Sequence, residues 1–337
     1  MPQRWTPLAI ALLALALVSN PSSAFASSES DTSAPDIGVG IQLLSVSASL
    51  QSDPRAQTYI VDNLAPGSTI ERSVRVSNKS TTPQIVSVYS GAATVSEGAF
   101  HVGEGRDTNE LSGWAVPSLP EVPLEPGATA DLTVTISVPA DAAEGEQYAA
   151  LWAEVKSEVD ASTSVITANR AGIRMYVSVG AGNGPAAGFT IDSVTAARDD
   201  TGAPEVRAAV TNTGGRAVDI RGELSLTDGP GSLSAGPFDI TETTTLAPGE
   251  SGEVSVTLDD ALPNGPWDAT LTLTSGLLSE EASATITFPD AGTGDTVVVE
   301  DNEPNWLILG GGIVVFLIAL GAFARLWIIR RRTATQP

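Results

Sequence analysis

The single histidine of the sequence, His101, lies between Phe100 and Val102, and no G-x-S-x-G turn accompanies it. A Ser-His-Asp triad would have to be built on that ring. Its apolar neighbours read instead as a strand, with the imidazole in a surface or structural role. Cysteine is absent, which removes thiol nucleophiles, thiolate metal sites and disulfides together. One histidine also leaves no multi-histidine metal centre. Forty acidic residues offer carboxylate pairs for glycoside cleavage in too many combinations to single out any one. Asp199-Asp200 and Asp259-Asp260 read as solvated turn acids. There is no phosphate-cradling glycine motif and no calcium-loop motif. The chain therefore reads as a non-enzyme with no catalytic residue, no metal and no cofactor.

Sugar contact demands less. Aromatic faces stack on the apolar faces of glycans, and a few amides or guanidiniums fix the orientation. The first half of the chain offers Tyr59, Tyr89, Trp114, Tyr148 and Trp152 as faces, with Arg55, Arg106 and Asn109 as polar partners. Arg55 and Tyr59 precede a Pro-Gly turn and are expected to be exposed. Tyr148 and Trp152, four apart on one strand, face the same side as Ala150 and are read as a core face. Trp114 and the stretch from Arg106 to Asn109 each have two readings: parts of a long hairpin whose tryptophan plugs the core, or binding residues on a loop. Arginine would pair with ligand carboxylates.

The charge balance narrows the partners. Acids outnumber bases 40 to 17, a net charge of −23, the opposite of what a phosphate backbone attracts. Nucleic acid is thus not a partner, and polyanionic wall polymers are poor candidates.

The ends carry the address. Arg4, the apolar run from Leu8 to Val18 and the small-x-small pattern Ala24-Phe25-Ala26 predict a signal peptide over 1–26, the alternative being an uncleaved anchor. Trp306 to Ala324 is 19 residues without a charge, enough for ~28 Å of helix. Arg325 follows, then Arg330-Arg331-Arg332. The basic flank belongs in the cytoplasm, and Trp306 and Trp327 sit at the two interfaces. A transmembrane helix over 306–329 with a basic cytoplasmic tail over 330–337 makes this a single-pass type I protein of the plasma membrane, its ectodomain facing outward. That ectodomain keeps all 40 acids and 12 bases, formally −28. Fifteen arginines against two lysines point to a GC-rich genome.

The elements between the ends are strands. Ile70, Val74 and Val76 alternate with polar residues, as do Ala130, Leu132, Val134, Ile136 and Val138, and again Gly252, Val254, Val256 and Leu258. Such alternation marks half-buried antiparallel strands. Each follows one turn signature: Leu64-Ala65-Pro66-Gly67, Leu124-Glu125-Pro126-Gly127 and Leu246-Ala247-Pro248-Gly249. Pro-Gly specifies a type II turn. The pattern doubles. Val76-Ser77-Asn78 precedes one Leu-x-Pro-Gly as Val210-Thr211-Asn212 precedes another, at separations of 48 and 36 residues between asparagine and proline. About 12 extra residues of the first half therefore fall near Gly98 to Trp114. The expected fold class is all-β: two immunoglobulin-like β-sandwich domains in tandem, then the single C-terminal transmembrane helix. A polar tether covers 27–37, the first sandwich 38–179, a glycine-rich linker 180–188, the second sandwich 188–289 and an acidic juxtamembrane tether 290–305.

The run Gly38 to Leu44, Asp53-Pro54-Arg55-Ala56 with Tyr59-Ile60-Val61-Asp62, the Pro66-Gly67 turn, Val76-Ser77-Asn78, Asn109-Glu110-Leu111-Ser112-x-Trp114 and the strand from Tyr148 to Val155 resemble the DUF916 family, the WxL-interacting proteins. These are Gram-positive surface proteins with a signal peptide, two β-sandwiches, one membrane span and a basic tail. The resemblance covers nearly the whole chain and is weaker in the second half. With the arginine-rich composition it suggests an actinobacterial member. It implies a membrane-anchored cell-envelope protein whose first domain contacts peptidoglycan; the candidate binding residues Arg55, Tyr59, Arg106, Asn109 and Trp114 come from the residue types above and not from the resemblance. The second implied class is a protein–protein adaptor or adhesin that binds another exported or host protein through its sandwiches, an exported surface protein being its partner.

Overall fold

The computed structural model describes residues 38–157 and 166–299. The signal peptide, the first tether, the membrane span and the basic tail lie outside the described residues. Among those described, no helix is long and apolar enough to cross a membrane.

The first half forms β1 (Val39–Leu43), a short helix α1 (Pro54–Thr58), β2 (Ile60–Leu64), β3 (Thr69–Asn78), β4 (Gln84–Ser96) and β5 (Ala99–Val102). A second short helix, α2 (Glu110–Trp114), precedes β6 (Ala115–Pro117), β7 (Glu121–Leu124), β8 (Thr129–Ser137), β9 (Gly145–Lys156) and β10 (Ala168–Val179). One sheet runs β1-β3-β8-β6. The facing sheet runs β2-β10-β9-β4-β5, with β7 also on β4. All pairs are antiparallel except β2 with β10. The inward positions expected from alternation are the buried ones: Val74, Val76, Leu132, Val134, Ile136 and Val138 meet Ala149, Leu151 and Ala153 in one core.

The second half repeats the plan with β11 (Phe189–Arg198), β12 (Pro204–Asn212), β13 (Val218–Gly229), β14 (Leu233–Asp239) and β15 (Thr244–Leu246). It closes with β16 (Ser251–Thr257), β17 (Trp267–Ser275), β18 (Leu278–Ile286) and β19 (Gly292–Val298). The sheets are β16-β12-β11-β19 and β14-β13-β17-β18, with β15 on β13. Trp267, Leu224, Leu271 and Val254 anchor the core between them.

The three Pro-Gly turns form as their chemistry dictates. Ser68, Ala128 and Glu250 donate their amides to the carbonyls three residues back. Gly67, Gly127 and Gly249 take φ of 79°, 71° and 79°, a region that costs a side-chain-bearing residue dearly. The doubled asparagine has the same job in each sandwich. The Asn78 amide donates to the carbonyls of Thr82, Leu124 and Glu125, and the Asn212 amide to those of Arg216 and Leu246. Each thus ties the end of one strand to the Leu-x-Pro-Gly turn.

One segment differs from expectation. Residues 292–298, placed in a polar tether, form β19 on β11. An edge strand needs hydrogen bonds and one apolar face, and Val297 and Val299 supply that face. The stretch 180–188 runs between the sandwiches with its ends hydrogen-bonded. Gly180 donates to Leu64 at 3.0 Å, Asn63 donates to the Gly182 carbonyl at 2.8 Å, and the Gly188 carbonyl accepts from Thr213 and Gly214.

Candidate binding site

The outer face of the sheet β2-β10-β9-β4-β5 is where the polar candidates gather. On β9, Ala149, Leu151, Ala153 and Val155 point into the core, so Tyr148, Ala150, Trp152 and Glu154 point away from it. Tyr148 and Trp152 therefore do not face the first core as expected; Tyr148 packs in a separate apolar cluster, and Trp152 is half-buried. Between 148 and 153 both parities of β9 are apolar or aromatic, and it is Glu146, Glu154 and Lys156 that mark the outward one.

At one end this face is covered by the second sandwich. Tyr176 is fully buried there, with Tyr59, Phe100 and Tyr148 ringed around it at centroid distances of 5.7, 5.3 and 5.9 Å. Ala56, Val61, Val95 and Ala217 complete this third apolar cluster. Asp53 caps α1 by accepting the Arg55 amide at 2.9 Å, and this turn delivers the Arg55 side chain to the joint. Its guanidinium lies 4.1 Å above the Tyr176 ring and ion-pairs through Nε with Asp219 of β13. Asp219 also accepts from Arg174 at 3.2 Å, the Tyr176 hydroxyl at 3.1 Å and the Thr245 hydroxyl at 2.9 Å. Burial alone would lower the Arg55 guanidinium, but Asp219 outweighs it and holds the group above its ordinary value. Burial pushes Glu146 up, although it accepts the Ala217 amide at 2.5 Å and the Tyr148 hydroxyl at 2.9 Å. Burial likewise pushes the Tyr148 and Tyr176 phenols far up.

Farther along, the same face is open. The Trp152 indole lies flat between glycines: a β-carbon on Gly172 would stand 2.7 Å from its ring, and one on Gly91 3.1 Å from its Nε1. Arg170 stacks over this indole at 4.4 Å, and Arg106 over Tyr89 at 4.2 Å. The Tyr89 hydroxyl donates to Glu154 at 2.8 Å, and Lys156 and Arg106 approach the other oxygen at 3.3 and 3.6 Å. Burial pushes Glu154 up, but the Tyr89 hydroxyl and Lys156 outweigh it and hold the carboxylate below its ordinary range. This shelf carries three cations to one anion on a strongly acidic protein.

The five sequence candidates separate. Arg106 is exposed and stands on the shelf. Arg55 is buried, at 5% exposure, and Tyr59 is half-buried beside it. Their expected exposure is thus corrected: both face the second sandwich, and their partner Asp219 is 164 residues away from Arg55 in the chain. Asn109 caps α2 by accepting the Ser112 amide at 3.0 Å and donates to the carbonyls of Ala93 and Tyr148, so its polar atoms are spent on structure. Trp114 packs on the first core, which matches the hairpin-plug reading. The shelf residues missed as a group, Arg170, Lys156 and Glu154, carried one sequence signal. They share the alternation phase of Trp152 on β9, or face it from β10 across the register pairs Arg170–Glu154 and Gly172–Trp152. His101 is exposed on β5, its Nε2 3.1 Å from the Ser96 carbonyl.

No protein-family model matches the chain, and no curated protein matches it. Solved structures do. The complex of Salmonella enterica SafA pilin with the SafB chaperone is 11% identical, with 74% of this chain and 97% of that one covered at a TM-score of 0.41. The E. coli chaperone DraB is 13% identical over 74% and 99% of the two chains, at 0.38. The Pseudomonas aeruginosa CupB2 chaperone is 14% identical over 68% and 97%, at 0.35. The all-β sandwich architecture rests on the strand pairing itself.

Proposed function

We propose that this chain is a non-enzymatic binding protein of the cell surface, whose sandwiches engage another exported protein by strand addition. Export, the plasma-membrane anchor and the outward ectodomain are part of this proposal and come from the terminal segments of the sequence. The observation that carries it is the edge of β18. This strand pairs with β17 over nine uninterrupted register positions and has no strand on its other side among the described residues. Apart from the stretch Ala168–Arg174 of β10, which β2 does not reach, the other sheet edges are short or blunted. β6 spans three residues and ends at Pro117, and β1 and β2 span five each. β14 contains Pro237 and two register shifts, β16 is bridged at Ser255 by Glu242, and β19 is irregular. A long, regular, proline-free edge is what an added strand requires. Glu280 and Glu281 on it favour a basic partner segment. A photo-cross-linking residue at Ser283, introduced into the full chain in the native host, should give one discrete adduct. The same residue at Thr129 of the first sandwich should give none. Equal labelling from both positions, or none from Ser283, overturns strand addition at β18.

The shelf supports a second reading, peptidoglycan contact by the first sandwich. Trp152 is half-buried on this face under Arg170, and Arg106, Arg170 and Lys156 suit the carboxylates of stem peptides. The full chain should then co-sediment with protein-free peptidoglycan, and Arg106→Ala should weaken that while leaving the adduct from Ser283 intact.

A further inference from the structure

Beside the joint lies a cavity of about 270 Å³ that neither reading uses. Arg55, Arg174 and Arg221 converge on it, together with Thr243 and Thr244, and Asp219 is the one carboxylate in its wall. In a protein whose acids outnumber its bases by more than two to one, three guanidiniums around one cavity are a local inversion of charge. Asp219 does not consume them. It takes Arg55 through Nε and Arg174 through Nη1. The Nη2 of Arg55, on a side chain only 6% exposed, has no hydrogen-bond partner. A buried cationic donor without an acceptor costs free energy, and the Arg55 side chain that carries it lines this cavity. Arg221 is exposed, and no carboxylate lies within ion-pair distance of it among the described residues. Asp53, which already caps α1, borders Gly276 at the cavity wall, and Glu223 and Asp239 share a neighbouring pocket with Arg221.

We infer that this cavity is a binding site for a small carboxylate. Guanidinium forks match the planar two-oxygen geometry of that group, and Arg55 and Arg174 already hold one carboxylate, that of Asp219, through one nitrogen each. The volume lies at the small end of ligand pockets, which run from roughly 300 Å³ upward, so it suits a group of a few heavy atoms. A ligand here touches both sandwiches, Arg55 and Arg174 from the first and Arg221 and Thr243 from the second. Its binding therefore braces the joint.

The experiment is calorimetric titration of the full-length protein with succinate and, separately, with inorganic phosphate, at fixed ionic strength made up with sodium chloride. Saturable succinate binding at one site is expected. Arg221→Gln, which breaks no ion pair, should weaken it at least tenfold. Arg75→Gln, whose exposed partner Asp131 lies on the opposite sheet, should leave it unchanged. Phosphate bound in preference to succinate overturns the carboxylate assignment. Absence of saturation, or equal affinity in Arg221→Gln, overturns the site. None of these outcomes depends on strand addition at β18, so the two proposals fail separately.

Discussion

Arg55 and Asp219 stand 164 residues apart in the chain and form one ion pair between the two sandwiches, over the face of Tyr176. Arg55 takes its ion-pair partner from the other sandwich, and from its own sandwich the Asp219 carboxylate accepts the Thr245 hydroxyl. Arg55 is nearly sealed from solvent, and its charge is balanced from the other half of the molecule. The joint is therefore specified electrostatically as well as by the apolar cluster around Tyr176. Asp219→Asn should cost about 3–5 kcal/mol, the usual penalty for leaving a buried charge unpaired. Arg55→Met combined with it should recover most of that loss. Equilibrium denaturation of the two variants checks this, and a double variant no better than the single one would deny the coupling.

Glu146 sets a pH dependence at the same joint. Burial raises its folded-state value above the ordinary 4.5, so the folded protein binds the proton more tightly than the unfolded one. The sign follows: this carboxyl favours folding below its unfolded value, and the contribution is lost as pH rises through the raised folded value. Glu146→Gln keeps an oxygen for the Ala217 amide and for the Tyr148 hydroxyl and carries no charge. The variant should lose less stability than the wild type as pH climbs from about 4.5 towards neutrality. Identical slopes in denaturant midpoint against pH would remove Glu146 from the account.

Asn78 and Asn212 test the internal repeat. Each is 1% exposed and ties a strand end to a Leu-x-Pro-Gly turn through its side-chain amide. Replacing either by alanine strands one buried carbonyl, that of Leu124 or Leu246, and at least one part-buried one, and should cost about 1–3 kcal/mol. Replacement by aspartate should be worse, because the donating amide becomes a buried acceptor. Thermal denaturation of the four variants gives the comparison.

The strands, their phase and the turns were legible because each is a local pattern. Alternation at 129–138 predicts which side chains are buried, and Pro-Gly predicts the sign of φ at the next residue. The doubled asparagine was legible as spacing, though not as a hydrogen bond. The joint was not legible. Arg55 sits in a polar, proline-started turn that reads as surface, and only the approach of β13 buries it. β19 was missed because its one aspartate and two glycines resemble a tether, while the pairing that makes it a strand comes from β11. The shelf was half-legible. Trp152 and Arg106 were picked out singly, but their meeting depends on Gly91 and Gly172, two small residues on neighbouring strands that make room for a flat indole.

That room is the basis of the last prediction. Gly172 takes no unusual backbone angle, so its smallness matters for space alone: a β-carbon there would stand 2.7 Å from two atoms of the indole. Gly172→Ala should lift Trp152 off the sheet and break the stacking of Arg170 above it. Overpacking of this kind costs about 1–3 kcal/mol where a core is rigid, and less here because the ring can move outward into solvent. The difference emission spectrum between each protein and its Trp152→Phe counterpart isolates this indole from the other tryptophans. It should shift to the red in Gly172→Ala. Gly113→Ala is the control. It lies in α2 with nothing within 4 Å of the added carbon, and should be neutral or stabilising by about 0.5–1 kcal/mol. If the wall reading of the shelf holds, Gly172→Ala also loses sedimentation with peptidoglycan while Gly113→Ala keeps it. A red shift without any loss of sedimentation would separate the indole from the binding surface.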